Sequence, residues 1–456
     1  MATNKTIAEL EEALDSEARS TLKSLFDEDG YYAELSPYSG GSVATACGTM
    51  GDEQVYAFVQ DVSVKSGAVC RAAAQKLVRL YELAVKNGAP VVGIYDSKGG
   101  DVAEGVELLT AYSEIANASA KLSGVAPQIA IVTGVCGGTS ATLACMADFV
   151  IMTEKAELFL TAPFVANDGT KGAGTAKNAA LSGVSCMTVK DAAEAVQKAK
   201  ELLAVLPHNN LELAWNDYFH SVSDKVPDGT LKGGDMAKAV SDSDTLVELF
   251  SEFGTASYTA FGSINAKTVG FVATNKTADR LTQADCAKIA RFAGICDAFS
   301  VPLVTFVDSE GFGLDNAAEL AGSIRDCAKL TQVYACATTP KIAVITGNAL
   351  GGVFTAFCGG SADLTIATED AVIAPVTPAA AAVFLHGEEC DSKEALQKAI
   401  DDYAADEASA LNAMEKGVVD RIVPAQELWA ALNGGLELLA NKRVAAPARK
   451  HINFVY

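Results

Sequence analysis

Two glycine turns carry the residues best placed for chemistry in this chain. Gly137-Gly138-Thr139 and Gly351-Gly352-Val353 each follow an apolar run of strand type and precede a helix-like stretch. A turn of this kind leaves backbone N–H groups without a helical acceptor and points them at a developing negative charge. Rival glycine motifs fit less well. A phosphate-binding loop needs Lys-Ser or Lys-Thr after its last glycine, and a dinucleotide fingerprint needs Gly-x-Gly-x-x-Gly; neither is present. A nucleophile elbow would set a serine between glycines, but Ser140 has the wrong spacing and its counterpart in the other half is Val353 or Phe354. Two alternatives stay open. Glu104 and Glu107, spaced on one face of an expected helix, could be the acid–base pair of a hydratase or thioester hydrolase, which leaves the second turn without a role. The glycines could also serve only close helix–strand packing.

The elements that position these turns occur twice. Pro-Gln-Ile-Ala-Ile-Val-Thr-Gly from Pro127 returns as Pro-Lys-Ile-Ala-Val-Ile-Thr-Gly from Pro340, about 213 residues later. Upstream, Val55-Tyr56-Ala57-Phe58-Val59 is answered by Val269-Gly270-Phe271-Val272, and the segment ending Asp96-Ser97 by the one ending Asp308-Ser309. Downstream, Ala147-Asp148-Phe149-Val150-Ile151 is answered by Ala362-Asp363-Leu364-Thr365-Ile366. A period this long is a duplicated domain, since solenoid repeats run roughly 20–50 residues. The expected domains are 1–235 and 236–456. Within the first, Tyr56–Gln60, Val91–Tyr95 and Ile129–Thr133 read as strands, and Arg71–Lys86, Val102–Lys121 and Asp191–Val205 as helices, with Gly88 as a helix stop. Strand and helix in alternation give an α/β fold with the loops after parallel strands gathered on one side. Residues 166–240, rich in Gly, Ala and charge, read as an inter-domain connector.

Composition narrows the function. The net charge is −22 and half the residues are apolar, with a mean hydropathy of +0.20. A compact globular protein follows, and nucleic acid is disfavoured as a partner. Any polyanionic substrate must be met by local cations. No uncharged, proline-free run of 18 apolar residues occurs, and Pro375 and Pro378 break the longest candidate, Val372–Leu385. Neither a transmembrane helix nor a signal peptide is expected, which places the chain in the cytoplasm. Eleven cysteines lie singly, most in apolar context as Cys145 and Cys358 do, and read as buried free thiols. The four histidines, His208, His220, His386 and His451, form no ligand spacing, so no metal site is expected in this chain.

Ala349-Leu350-Gly351-Gly352 between strand and helix resembles the crotonase (enoyl-CoA hydratase) superfamily. Two such halves in one chain resemble the biotin-dependent acyl-CoA carboxyltransferases: the β subunits of propionyl- and acetyl-CoA carboxylases and the α subunits of biotin-dependent acyl-CoA decarboxylases. The blocks that carry the likeness include Gln60-Asp61-Val62-Ser63-Val64, Asp96-Ser97 through Glu104-Gly105, and Leu206-Pro207-His208-Asn209-Asn210. They continue with Cys296-Asp297-Ala298-Phe299, Glu415-Lys416-Gly417 through Pro424, and Pro447-Ala448-Arg449-Lys450-His451. The resemblance covers about Leu25 to Asn453.

The resemblance implies two tandem crotonase-like (ClpP/crotonase) ββα-superhelix domains, with the acyl-CoA on the first and biotin on the second. It implies that Gly137, Gly138 and Thr139 hold the thioester oxygen, and that Gly351, Gly352 and Val353 hold the biotin ureido oxygen. It further implies biotin on a separate carrier, supplied by a biotin carboxyl carrier protein or biotin carboxylase subunit, and a coenzyme A thioester as substrate. A homodimer or a hexamer built as a trimer of dimers would assemble the sites, with no membrane insertion. Lys65, Arg71, Lys76 and Lys98 are the cations expected near CoA phosphate, with Gly99 and Gly100 beside them. Phe354 and Thr355 are expected at the acyl pocket. Lys98, Asp101 and Thr139 stand where relatives carry glycine, arginine and glycine, and Thr355 stands where they carry an acid. Carboxylase and decarboxylase subunits share these motifs, and a non-catalytic subunit that kept the fold is a further alternative.

Overall fold

The computed structural model describes residues 14–166, 171–212, 226–228, 230–278, 280–313, 315–388, 390–445, 447–448 and 453. His220, Arg449, Lys450 and His451 lie outside the described residues. The chain divides into two compact units, Met1–Glu212 and Leu213–Tyr456. The division lies at Glu212/Leu213, earlier than residue 235.

The first unit is one mixed sheet with helices on it. Its strands are β1 (Tyr32–Glu34), β2 (Val43–Met50), β3 (Glu53–Gln60), β4 (Val91–Ser97), β5 (Gln128–Gly137), β6 (Phe149–Thr153), β7 (Glu157–Phe159) and β8 (Met187–Val189). They pair in the order β1-β2-β3-β4-β5-β6-β8, with β7 added to β5. The β2–β3 hairpin is antiparallel and β3 onward is parallel. Helix α1 (Arg71–Asn87) buries Ala73, Ala74, Leu77, Leu80, Tyr81 and Ala84, one stripe at helical spacing. Gly88 ends it in the left-handed conformation at φ 59°. Helix α2 (Glu107–Leu122) follows, then α3 (Thr139–Cys145) and α4 (Ala192–Val205), the last capped by Asp191.

The second unit repeats this order. Its strands are β9 (Val247–Glu248), β10 (Tyr258–Ile264), β11 (Lys267–Ala273), β12 (Arg280–Leu281), β13 (Leu303–Ser309), β14 (Gly311–Phe312), β15 (Lys341–Leu350), β16 (Leu364–Ala367), β17 (Val372–Ala374) and β18 (Arg421–Ile422). The sheet runs β9-β10-β11-β13-β15-β16-β18 with β17 added to β15, and β12 pairs with β14. Helices α5 (Gly234–Val240), α6 (Gln283–Ala298), α7 (Ser323–Cys336), α8 (Gly352–Phe357), α9 (Pro378–His386) and α10 (Lys393–Asp406) belong to this unit. Each unit has its own core, built on Phe58, Leu80 and Ile115 in the first and on Phe271, Phe306 and Leu432 in the second.

Three expectations are corrected. The helix expected over 102–121 is broken: Val102–Glu104 is a single tight turn capped by Asp101, and Gly105 at φ 58°, ψ −129° separates it from α2. Glu104 and Glu107 therefore do not share a helix face. The connector expected over 166–240 is largely part of the first unit, because β8 extends the sheet beside β6 and α4 packs on it. Cys145 is exposed rather than buried. Among the described residues, no helix is long and apolar enough to cross a membrane.

Candidate active site

Both glycine turns grow from the same irregularity in the sheet. Along β4 and β5 the pairing steps from Tyr95↔Val132 to Ser97↔Cys136, so β5 carries two extra residues against β4. Along β13 and β15 it steps from Val307↔Ile345 to Ser309↔Ala349, with the same excess. The excess wraps an aspartate. A Cβ on Gly134 would stand 2.2 Å from Asp96 Oδ1, and one on Gly347 would stand 2.2 Å from Asp308 Oδ1. Only glycine lets the strand pass so close to a carboxylate. Asp96 Oδ1 accepts the Val135 N–H at 3.3 Å, and Asp308 Oδ1 accepts the Asn348 N–H at 2.9 Å. Burial raises the Asp96 pKa, against the Val135 N–H and the charge of Lys98. Ser97 and Ser309 close the next bend alike, each exchanging hydrogen bonds with Gly99 or Gly311 at 3.0–3.2 Å.

The turns themselves have one backbone shape. Gly138 lies at φ 61°, ψ −131° and Gly351 at φ 52°, ψ −118°, a region barred to side-chain-bearing residues. The Gly138 N–H donates to Phe159 O at 2.9 Å and the Gly351 N–H to Ala374 O at 3.0 Å. These two glycines are therefore not free donors, contrary to the sequence reading. They shape the turn. The N–H groups without a helical acceptor begin one residue later, at Thr139 for α3 and at Gly352 for α8. The first helical carbonyl bonds of these helices close at Thr142 N–H to Gly138 O and at Thr355 N–H to Gly351 O.

A cleft of about 310 Å³ opens at the first turn, lined by Lys98, Gly99, Gly100, Gly137, Gly138 and Thr139. Val135, Phe159, Leu160 and Ala162 add apolar walls, and Tyr112 stands at its side. The Tyr112 hydroxyl lies 3.0 Å from the Ser140 hydroxyl, a buried pair that braces the first turn of α3. Behind the loop, burial pushes the Cys136 thiol up to about 12, which leaves it no nucleophile at neutral pH. Six of the sequence-selected residues thus meet in one cleft.

The remaining cations do not join them. Lys65 reaches Asp101 at 2.5 Å, and Arg71 reaches Glu114 at 2.6 Å while its backbone N–H donates to Glu104. Lys76 is a correction: its ammonium is buried and donates to Val43 O at 3.0 Å, so it holds α1 to the sheet and offers nothing to a ligand. Its counterpart Lys288 is buried likewise, on Gly254 O and Ser257 O. In the second unit the Val353 side chain is fully buried, so only its backbone is available, and Thr355 Oγ1 donates back to Gly351 O at 3.2 Å. The Phe354 ring is half-buried over Gly359. Asp96, Asp308 and Tyr112 were not selected from sequence, although the Asp-Ser pair recurring in both halves was a usable signal. A larger cavity, about 690 Å³, borders α9 and α10, but Asp402, Asp406 and Glu407 outweigh Lys398 on its rim, a poor match for a polyanion.

A duplicated α/β unit carrying the same glycine turn in each copy defines a tandem crotonase-type protein. Residues 6–454 match the carboxyl transferase domain, and the chain belongs to that family. It is 32% identical over 480 residues to the methylmalonyl-CoA decarboxylase subunit alpha of Veillonella parvula, covering 96% of this chain and 92% of the relative. It is 32% identical over 449 residues to the mitochondrial propionyl-CoA carboxylase beta chain of Rattus norvegicus, covering 93% and 82%. The solved transcarboxylase 12S structure, a hexamer with hydrolysed methylmalonyl-coenzyme A, superposes with a TM-score of 0.89 at 30% identity over 99% of this chain and 95% of that one. The chain is an enzyme, a carboxyltransferase of the biotin-dependent acyl-CoA class.

Proposed function

We propose that the chain moves a carboxyl group between biotin on a separate carrier protein and the α-carbon of a short acyl-CoA, using two backbone oxyanion holes. The observation that supports this reading is the glycine turn built twice, at Gly138 and Gly351, each opening a helix whose first N–H groups have no acceptor within that helix. In the first unit, Thr139 and the next residues of α3 hold the thioester oxygen over the floor made by Gly137 and Gly138. In the second, Gly352 and Val353 hold the ureido oxygen. One well-placed donor is worth about 3–4 kcal/mol to the transition state. When bound, the biotin group supplies the carboxyl carrier and a site that takes up the α-proton, which leaves the protein to position both oxygens and exclude water. Lys98, Gly99 and Gly100 border the thioester side, and Phe354 and Thr355 are assigned to the acyl pocket.

Assembly and location extend this reading. Strongly exposed apolar side chains, Val102, Val106 and Leu109 on the first unit and Leu320 and Phe384 on the second, support a homodimer or hexamer. The carrier comes from a biotin carboxyl carrier protein or a biotin carboxylase subunit, in the cytoplasm. The relatives run in both directions, and the identity of the other subunits sets the direction here.

The test is transfer without ATP. Purified chain mixed with methylmalonyl-CoA and free biotin or a biotinylated carrier should yield propionyl-CoA, read by chromatography. No transfer to any biotin acceptor, or a monodisperse monomer that is fully active, would remove the respective part of the reading.

A further inference from the structure

Lys98 sits in the thioester-side cleft with an unusual set of neighbours. Among the described residues lining that cleft it is the one that carries a charge. The nearby cations are closed by carboxylates, Lys65 by Asp101 and Arg71 by Glu114, whereas Lys98 makes no ion pair within 4 Å among the described residues and acts on the Asp96 carboxylate only through its charge. At the equivalent place beside the second turn stands Glu310, itself paired with Arg280 at 3.0 Å. An exposed lysine at the edge of the cleft is thus particular to the first unit.

The shape of the cleft indicates what this ammonium meets. At about 310 Å³ it lies at the small end of ligand pockets, sized for an acyl group and its thioester rather than for a nucleotide. Gly99, Gly100 and Gly138 leave bare backbone on one side, and Val135, Phe159 and Ala162 leave apolar walls on the other. The phosphates of coenzyme A carry several charges, and a single lysine among apolar walls is a poor match for them. One carboxylate is a good match, because a single charge-assisted hydrogen bond can satisfy it.

We propose that Lys98 is a specificity residue for the carboxylated substrate, its ammonium pairing with the free carboxylate of a carboxyacyl-CoA beside the thioester. This assignment rests on the proposed acyl-CoA role of the first unit. It makes the cleft prefer the carboxylated thioester over the uncharged acyl-CoA, and it moves Lys98 away from the phosphate contact expected from sequence.

Calorimetric titration of the full chain with methylmalonyl-CoA, propionyl-CoA and free coenzyme A tests it, using wild type, Lys98→Met and Lys98→Arg. Lys98→Met should weaken methylmalonyl-CoA by about tenfold or more beyond any loss for propionyl-CoA, as losing one charged hydrogen bond does. Lys98→Arg should restore part of that difference. Equal weakening of all three ligands would place Lys98 on the coenzyme A moiety and overturn the assignment, as would no change for any. If wild type binds none of the three, the acyl-CoA role of the first unit falls and the assignment with it. Circular dichroism and melting confirm that each variant is folded.

Discussion

The two glycine turns share a scaffold and differ in what surrounds it. Both have a positive-φ glycine, a two-residue excess in the sheet, an aspartate under the strand and a serine closing the next bend. Around the first stand Lys98, Gly100 and Thr139; around the second stand Glu310, Phe312 and Gly352. The aspartates differ too. Asp96 takes one backbone N–H at 3.3 Å, whereas Asp308 takes one at 2.9 Å, an Asn275 amide at 2.8 Å and Lys232 at 3.9 Å. The backbone of both turns has little freedom: a Cβ at Gly134, Gly347 or Gly351 would collide with a carboxylate or carbonyl, and Gly138 holds a positive φ. Side chains that face a ligand are free to diverge. The same donors can therefore be offered to two different molecules.

The sharpest way to break this comparison removes one donor from each half. Thr139→Pro and Gly352→Pro each delete a first-turn N–H at a position where proline suits a helix. Each should lower kcat for carboxyl transfer by at least ~100-fold. Thr139→Ala should stay within about tenfold, and Gly352→Ala separates donor loss from crowding, since its Cβ would lie 2.9 Å from the Phe312 ring. One proline variant at full activity would mean that the halves do not share the chemistry.

A smaller effect tests the aspartate braces. Asp308→Ala should cost about 3 kcal/mol in urea unfolding and Asp96→Ala about 1 kcal/mol, since the former strands more donors. Equal costs would mean that the extra partners of Asp308 contribute nothing. The buried lysine provides a pH signature. Burial pushes the Lys288 ammonium from 10.5 down to about 8 in the folded protein. Between those values the unfolded chain holds more protons, so wild type should gain stability as pH rises from about 8 toward 10.5, relative to Lys288→Met. The relative gain should total about 3 kcal/mol, flattening out below about pH 7. Parallel urea curves for the two proteins across pH 8–10 would sink it. The smallest effect belongs to the partly exposed Arg280–Glu310 pair. Glu310→Gln should change stability by less than about 1 kcal/mol, as surface pairs do, and a larger loss would show that β12 and β14 depend on it.

Much of this was legible before any coordinates. The repeat from Pro127 and Pro340 announced two units with one strand order, because the same apolar runs and turns impose the same elements. Gly88 as a helix stop and the two glycine turns were local features, readable from residue type and neighbours. Other readings failed where a distant residue decided the outcome. Lys76 of α1 is buried because Val43 O at the start of β2 accepts its ammonium. The helix over 102–121 is broken because Gly105 takes a positive φ after the capped turn at Asp101.

What the sequence alone determined, then, is which segments are strands, where the chain turns and that it is duplicated. These follow from local propensity, apolar period and internal repetition. Only the tertiary structure decided that the N–H groups of Gly138 and Gly351 are already bonded, that Asp96 and Asp308 sit under the turns, and that Lys98 alone of the four cations lines the cleft. Those depend on strand register and on which atoms meet across the sheet, and neither is written in any single stretch of chain.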